Sequence, residues 1–265
     1  GRLLYEATKK YTPSIVKYVE PTSYLKNKRQ DLLTHTREIG TSIHGQNGNH
    51  KSVVLIDSPP NIDNQILTAI LFRFSGHSYN RCLITIDKLS KSEKINFFKT
   101  IYQDINSWNS VLREFEFASF SFQLIISASN YAQLKRHRMA NIVAQDYSTD
   151  LGVTIPDSII QTGQKKVFLE IIDKTNNYYW KLHEHFPDLA PYVLTNAHRR
   201  RVLFKINLRE LYHFLRLRED QYAQWDIRAT AEDIHKIIRN KMVWAGALLG
   251  GKDHFATIHK NFNKL

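Results

Sequence analysis

The chain has 265 residues, enough for one large domain or two small ones with a sizeable core. Hydrophobic residues make up 42% of it, which excludes a disordered composition, and no apolar run reaches the length of a membrane span. Net charge is +12 and the pI about 9.6, a balance that attracts polyanions, either nucleic acid or small ligands carrying phosphates. No signal-peptide pattern is present, so a cytoplasmic protein is expected. The first residue is Gly1, not Met, and a piece of a longer chain is one expectation. The single cysteine, Cys82, excludes an internal disulfide and a cysteine-rich zinc site.

Residues 1–50 differ from the rest. They hold Pro13 and Pro21, one helix expected at Tyr24–Ile39, and the loop-like run Gly45-Gln-Asn-Gly-Asn-His50. They read as an N-terminal arm or interdomain linker ahead of one domain at 51–265. Val53–Ile56 reads as a short buried strand, and Asn61 or Asp63 as the cap of a helix over Gln65–Phe74 that Gly76 ends. Arg81–Ile86, with Cys82 inside, reads as a buried strand, and Ser90 starts a helix to about Asp104.

Glu116–Ser127 alternates, with Ala118, Phe120, Phe122, Leu124 and Ile126 on one face, so it predicts a strand. Glu116 sits at its mouth on the apolar side, where a carboxylate is costly unless an Arg or a ligand donor meets it. Ser129 is placed as the cap of a helix running into Lys135-Arg136-His137-Arg138. Residues 149–165, with Gly152, Pro156 and Gly163, read as a loop, and Val167–His185 as a helix. Pro187 and Pro191 precede a helix expected from about Arg199 to Glu219, and a last helix follows Asp220 with Ala223, Ile227, Ile234 and Ile238 inward. The tally is an α+β, helix-rich domain with few strands.

The stretch Asn207–Arg228 carries most information. At 100° per residue, Leu208, Leu211, Tyr212 and Leu215 form one core-facing stripe. Asn207, Phe214 and Arg218 flank it on one side, and Arg209, His213 and Arg216 on the other. An ordinary amphipathic helix with a basic back would account for the periodicity. Two donor flanks on one helix also suit a site shared between subunits, so a homo-oligomer, a tetramer, is expected.

Arg136-His137-Arg138 has two readings as well. Basic residues at a helix end are favoured by the macrodipole. Two guanidinium forks also match the oxygens of a diphosphate. On a continuing helix Arg136 and Arg138 would point about 200° apart, so sharing one small anion requires the helix to end here.

Residue order favours the second reading. Phe115-Glu116, Phe120-Ser-Phe122, then Arg136-His-Arg138 after 13 intervening residues, then Asn207-Leu-Arg209 through Leu217-Arg218 and Ala223-Gln-Trp-Asp-Ile-Arg228 resemble the signatures of flavin-dependent thymidylate synthases. The likeness covers about residues 51–245. It implies that family's α+β fold, with a small antiparallel sheet. It implies reductive methylation of dUMP to dTMP, with FAD as cofactor and NADPH and methylenetetrahydrofolate as co-substrates. It also implies a site at subunit interfaces. By this resemblance Glu116, Arg136, His137, Arg138, Asn207, Arg209, His213, Leu217 and Arg218 meet the flavin. Gln133, Arg136, Asp146, Ser148 and Arg218 meet dUMP, and Arg218 and Ser148 stand at the catalytic positions. No metal is implied.

The sequence departs from the pattern where the nucleotide should sit. The serine expected after Arg-His-Arg falls on Asp146 without a gap, or on Ser148 with two inserted residues. In the second register Asp146 stands for the family's Glu, and Asp150 replaces a substrate-binding arginine. A second such arginine falls on Pro191, and expected histidines fall on Phe117 and Tyr222. Three functions follow: a flavin-dependent thymidylate synthase, a degenerate FAD-binding or structural domain of this fold in a tandem protein, and a basic nucleic-acid-binding module.

Overall fold

The structure, a computed structural model, describes residues 1–16, 22–40 and 51–264. Pro21 and the run at 45–50 lie outside the described residues. The chain divides into two compact units, Gly1–His50 and Lys51–Leu265. The first contains α1 (Arg2–Lys9) and α2 (Ser23–Gly40). No helix among the described residues is long and apolar enough to cross a membrane.

The second unit opens with β1 (Val53–Asp57) and α3 (Ile62–Ser75). Asn61 takes the cap position with a left-handed backbone but makes no side-chain cap bond. The Asp63 carboxylate instead accepts the N–H groups of Val243, Trp244 and Ala245, which ties α3 to the chain after the last long helix. Next come α4 (Tyr79–Lys88) and α5 (Lys91–Tyr102). Ser90 and Glu93 form a full capping box at the start of α5.

Arg81–Ile86 is therefore helical, not a strand. Cys82 and Ile86, four apart, are 1% exposed, while Ile84 is 56% exposed. A six-residue apolar run fits both periods, and packing beside α3 selects the helix.

A 3-10 turn at Arg113–Phe117 leads into β2 (Ser119–Ser127). Ser127, not Ser129, caps α6 (Ala128–Leu134), accepting the Asn130 N–H. Then come β3 (Asn141–Ala144), a short α7 (Asp157–Gln161) inside the expected loop, and α8 (Lys165–His185). β4 (Arg199–Asn207) feeds directly into α9 (Leu208–Arg218), so the helix expected from Arg199 begins nine residues later. Alternation explains the difference: Val202, Phe204 and Ile206 are buried, and Leu203 and Lys205 point out. The chain ends with α10 (Trp225–Ile238) and α11 (Phe255–Phe262).

The four strands form one antiparallel sheet in the order β1-β2-β4-β3. Its inner face joins Phe120, Phe122 and Leu124 of β2 to Val202, Phe204 and Ile206 of β4, in one core with the apolar sides of α3, α9 and α10. The domain is thus α+β with a small antiparallel sheet, as the sequence implied. The sheet places the N-terminus of α9 beside the 3-10 turn before β2, because Asn207 pairs with Ser119.

Candidate functional site

Helix α9 sets the geometry. Leu208, Leu211, Tyr212 and Leu215 are all buried, as their spacing predicted. Asn207 caps the helix, its Oδ1 accepting the Glu210 N–H over 2.8 Å, so its side-chain oxygen is already engaged. The Tyr212 hydroxyl, buried against Tyr102, donates to the Ala245 carbonyl over 2.8 Å. Burial pushes both tyrosines well above the ordinary phenol range.

One flank of α9 faces the turn before β2. Arg209 donates to Glu116 over 2.9 Å and to the Val111 carbonyl over 3.0 Å. That supplies the partner Glu116 needs, with Arg113 3.7 Å away on its other oxygen. Arg216 continues this flank, donating to the Asn109 carbonyl over 2.7 Å.

The other flank faces the segment after α6. The helix stops at Leu134, so residues 135–140 turn instead of continuing the spiral. His137 points inward and is 4% exposed, while Arg136 and Arg138 are exposed. Among the described residues neither arginine makes a side-chain hydrogen bond or ion pair. His137 is held on both ring nitrogens: Nδ1 lies 3.1 Å from Glu210 Oε1, and Nε2 accepts from Arg218 Nε over 3.1 Å. Arg218 also donates from Nη1 to Gln133 Oε1 over 3.2 Å. Phe214 and His213 meet the His137 ring edge-on, with centroids 5.0 and 5.9 Å away. Burial, and then the nearby Arg136 charge, lower the Arg218 pKa from its ordinary value.

Ligand atoms of His137, Glu210 and His213 lie within 4.8 Å of one another, a spacing a divalent cation can bridge. Both nitrogens of His137 are engaged, and the Arg218 guanidinium lies against the same ring. A cation there would displace one of those bonds and face that positive charge.

The third group is the loop after β3. The Ser148 hydroxyl donates to the Asp150 carboxylate over 2.7 Å, so within the chain it is committed there. The Arg200 guanidinium lies between the rings of Tyr131 and Tyr147, 4.4 and 4.1 Å from their centroids, and donates to the Gln145 carbonyl. This stack ties residues 145–147 to α6, two residues before Gln133. Gln145 donates its N–H to Arg201 and continues the β3–β4 ladder, leaving Asp146 exposed beyond it. Phe117 and Tyr222 are exposed, as is Leu217, and Pro191 lies in a 3-10 turn at Ala190–Val193.

Gln133, His137, His213 and Arg218 are thus gathered into one cluster, with Arg136 and Arg138 at its edge. Glu116, Arg209 and the Asn207 cap form a second group at the other end of α9. Among the described residues Ser148 bonds to neither. Sequence reasoning missed Glu210 and the Tyr131–Arg200–Tyr147 stack. Glu210 was legible in part: it stands four and eight residues before Phe214 and Arg218, which puts it beside that flank.

The family described as thymidylate synthase complementing protein matches residues 54–242, which include every group above. The chain belongs to that family. It is 27% identical over 234 residues to a UPF0159 protein of Chlamydia muridarum, covering 86% of this chain and 44% of that one. It is 33% identical over 163 residues to a flavin-dependent thymidylate synthase of Geobacter sulfurreducens, covering 58% and 68%. Its fold resembles that of the UMP/dUMP methylase PolB of Streptomyces cacaoi, solved bound with 5-Br dUMP. The TM-score is 0.60 at 17% identity, over 80% of this chain and 94% of that one. The chain spans 44%, 34% and 48% of three UPF0159 relatives, about half their length or less.

Proposed function

We propose that this chain is a flavin-dependent thymidylate synthase-like protein that binds FAD and a uridine nucleotide. The reaction would be reductive methylation of dUMP to dTMP with methylenetetrahydrofolate and NADPH. The observation that carries this reading is the His137–Arg218 bond, which joins the two sequence signatures into one basic cluster. The residues fit the cofactor: Arg136 and Arg138, which among the described residues hold no other side chain, would offer guanidinium forks to a diphosphate, and Arg218 at the end of α9 is bonded to Gln133. Bound flavin, once reduced, supplies the hydride that the reduction needs. The chain's own side chains would bind and orient: Arg136 and Arg138 at the diphosphate, Arg218 at both the flavin and the nucleotide, Gln133 at the nucleotide, and Glu116 holding Arg209 at the other end of α9. The flavin-dependent thymidylate synthase from Geobacter and the dUMP methylase fold support this class of substrate.

A second reading has its own support: one domain of a tandem protein, binding flavin or bracing an active partner domain but lacking its own dUMP site. In the register with two inserted residues, Asp150 would set a carboxylate where an anionic nucleotide needs a donor, and it accepts from the Ser148 hydroxyl. The UPF0159 relatives, which are about twice as long, suit a partner domain in the same chain. Residues 1–50 would then be the connecting arm.

The deciding experiment adds FAD to the purified protein, then supplies dUMP, methylenetetrahydrofolate and NADPH and measures dTMP. A shifted visible flavin spectrum with dTMP formation supports the synthase. A shifted spectrum without dTMP supports the degenerate domain. No spectral change and no thermal shift sinks the synthase and the flavin-binding form of the second reading, and leaves the bracing domain.

A further inference from the structure

We propose that Glu210 is a positioning residue: it sets the tautomer of His137 and through it the orientation of Arg218. The inference rests on the anion-binding role given to Arg218 above.

A guanidinium only donates, so the nitrogen of His137 that meets Arg218 Nε must present a lone pair. That nitrogen is Nε2, at 3.1 Å. The ring proton of the neutral imidazole must then sit on Nδ1, where Glu210 Oε1, also at 3.1 Å, accepts it. The other tautomer would set N–H against N–H at Nε2 and leave a lone pair facing a carboxylate at Nδ1. With both groups nearly out of water, at 3% and 12% side-chain exposure, solvent does not relieve that clash.

Glu210 is itself fixed. Its backbone N–H donates to the Asn207 cap, which sets its place in the first turn of α9. Phe214, one turn on, closes the side of the His137 ring with its centroid 5.0 Å away. The Glu210–His137–Arg218 line therefore runs from the first turn of α9, across the ring, to the last residue of the same helix. Arg136, Arg138 and His213 are further cationic or titratable groups at the cluster, and burial, then the Arg136 charge, lower the Arg218 pKa. The Glu210 carboxylate meets the ring nitrogen opposite the one that faces Arg218, so it steadies Arg218 through the ring.

The alternative is that Glu210 only favours the helix N-terminus, where acidic residues are generally stabilising. A helix-end role affects stability alone and leaves the tautomer untouched. The test is therefore 15N imidazole NMR on the full chain at pH 8, with the His137 signals assigned by substitution, alongside FAD titration followed by visible absorbance. Wild-type protein is expected to show His137 with the proton on Nδ1. Glu210→Ala is expected to move the proton to Nε2 and weaken FAD binding about tenfold. Glu210→Gln, which can still accept at Nδ1, keeps the wild-type tautomer and most of the affinity. Arg218→Ala, with Glu210 intact, also keeps the proton on Nδ1, and it covers the case in which Glu210→Ala does not fold.

A proton on Nε2 in wild type overturns the proposal. So does an unchanged tautomer in Glu210→Ala, or a switch in Arg218→Ala. Failure of wild type to take up FAD overturns the flavin reading instead, and the tautomer measurement still decides the role of Glu210.

Discussion

Ser127 donates its hydroxyl proton to the Asp226 carboxylate over 2.5 Å, and both groups are buried. This pair joins the N-terminus of α6 to the first turn of α10. Asn130 completes it, donating from Nδ2 to Asp226 Oδ1 over 3.1 Å and to Thr230 Oγ1 over 2.9 Å. Because α6 carries Gln133 and leads into the Arg136–Arg138 turn, the network also holds the candidate site.

Asp226→Ala should leave the Ser127 hydroxyl without its acceptor and remove one of the acceptors of Asn130 Nδ2, which keeps the Asp226 carbonyl and Thr230 Oγ1. A buried polar group so orphaned costs about 1–3 kcal/mol, more when a charged partner is lost. Urea unfolding should show a lower midpoint with an unchanged slope. Asp226→Asn, which keeps the shape, should cost less. Equal stability of wild type and Asp226→Ala would show that the network is slack.

Arg136→Gln and Arg138→Gln should each weaken FAD binding with little change in stability. Both side chains are exposed, and among the described residues neither holds another side chain. Each lost charge-assisted contact removes about 1.5–3 kcal/mol, or roughly one to two decades of affinity. Flavin titration by visible absorbance or fluorescence measures it, and undiminished affinity in the double variant would place the diphosphate elsewhere.

Under the tandem-domain reading, the chain alone should bind dUMP weakly or not at all while still binding FAD. Asp150 and Pro191 stand where two anion-binding arginines are expected, and their loss corresponds to roughly two to four decades of affinity. Calorimetric titration of dUMP into the FAD-loaded protein at low salt is the measurement. Asp150→Arg should restore binding and release the Ser148 hydroxyl. Micromolar affinity in the unchanged protein would show that Asp150 does not face the nucleotide.

The protein should assemble as a homo-oligomer, a tetramer, or with a second domain of the same fold. Among the described residues the Ser148 loop and the Arg218 cluster do not meet through hydrogen bonds, so a partner can complete the site. Light scattering at micromolar concentration with FAD present tests this, and a monomer would count against it.

Stability should fall as the pH drops below about 6.5, partly through His198. Its ring is 0% exposed; Nδ1 accepts the Thr195 N–H over 3.0 Å, and Nε2 lies 2.9 Å from Asn176 Oδ1. Burial lowers its pKa below the ordinary histidine value. The unfolded chain therefore takes up a proton before the folded one, and stability rises with pH through that window. The limit is about 1.4 kcal/mol per pH unit for one group. Thermal melts from pH 5 to pH 8 should show the acid limb, and His198→Gln should flatten it. An unchanged limb would assign it to other groups.

The sequence by itself determined the elements whose apolar spacing admits one period. The stripe of Leu208, Leu211, Tyr212 and Leu215 and the alternation of β2 over nine residues could each be buried in only one way. The capping of α5 at Ser90 is equally local, since its partner Glu93 lies three residues on.

Tertiary structure decided the rest. Arg81–Ile86 is too short to declare a period, and contact with α3 made it a helix. The basic start of β4 hides an alternation that only the ladder to β2 enforces, residue by residue from Ser119↔Asn207 to Ser127↔Arg199. The site shows the same division. The flanks of α9 were legible in part, because helix geometry is local: Phe214 and Arg218 share one side and Arg209 and Arg216 the other, but His213, expected beside Arg209, meets the His137 ring instead. The bond from Glu210 to His137 joins positions 73 residues apart, and that from Arg218 to His137 joins positions 81 apart. Such pairs are set by how the turn after α6 packs on α9, a relation between elements that no local pattern of residues encodes.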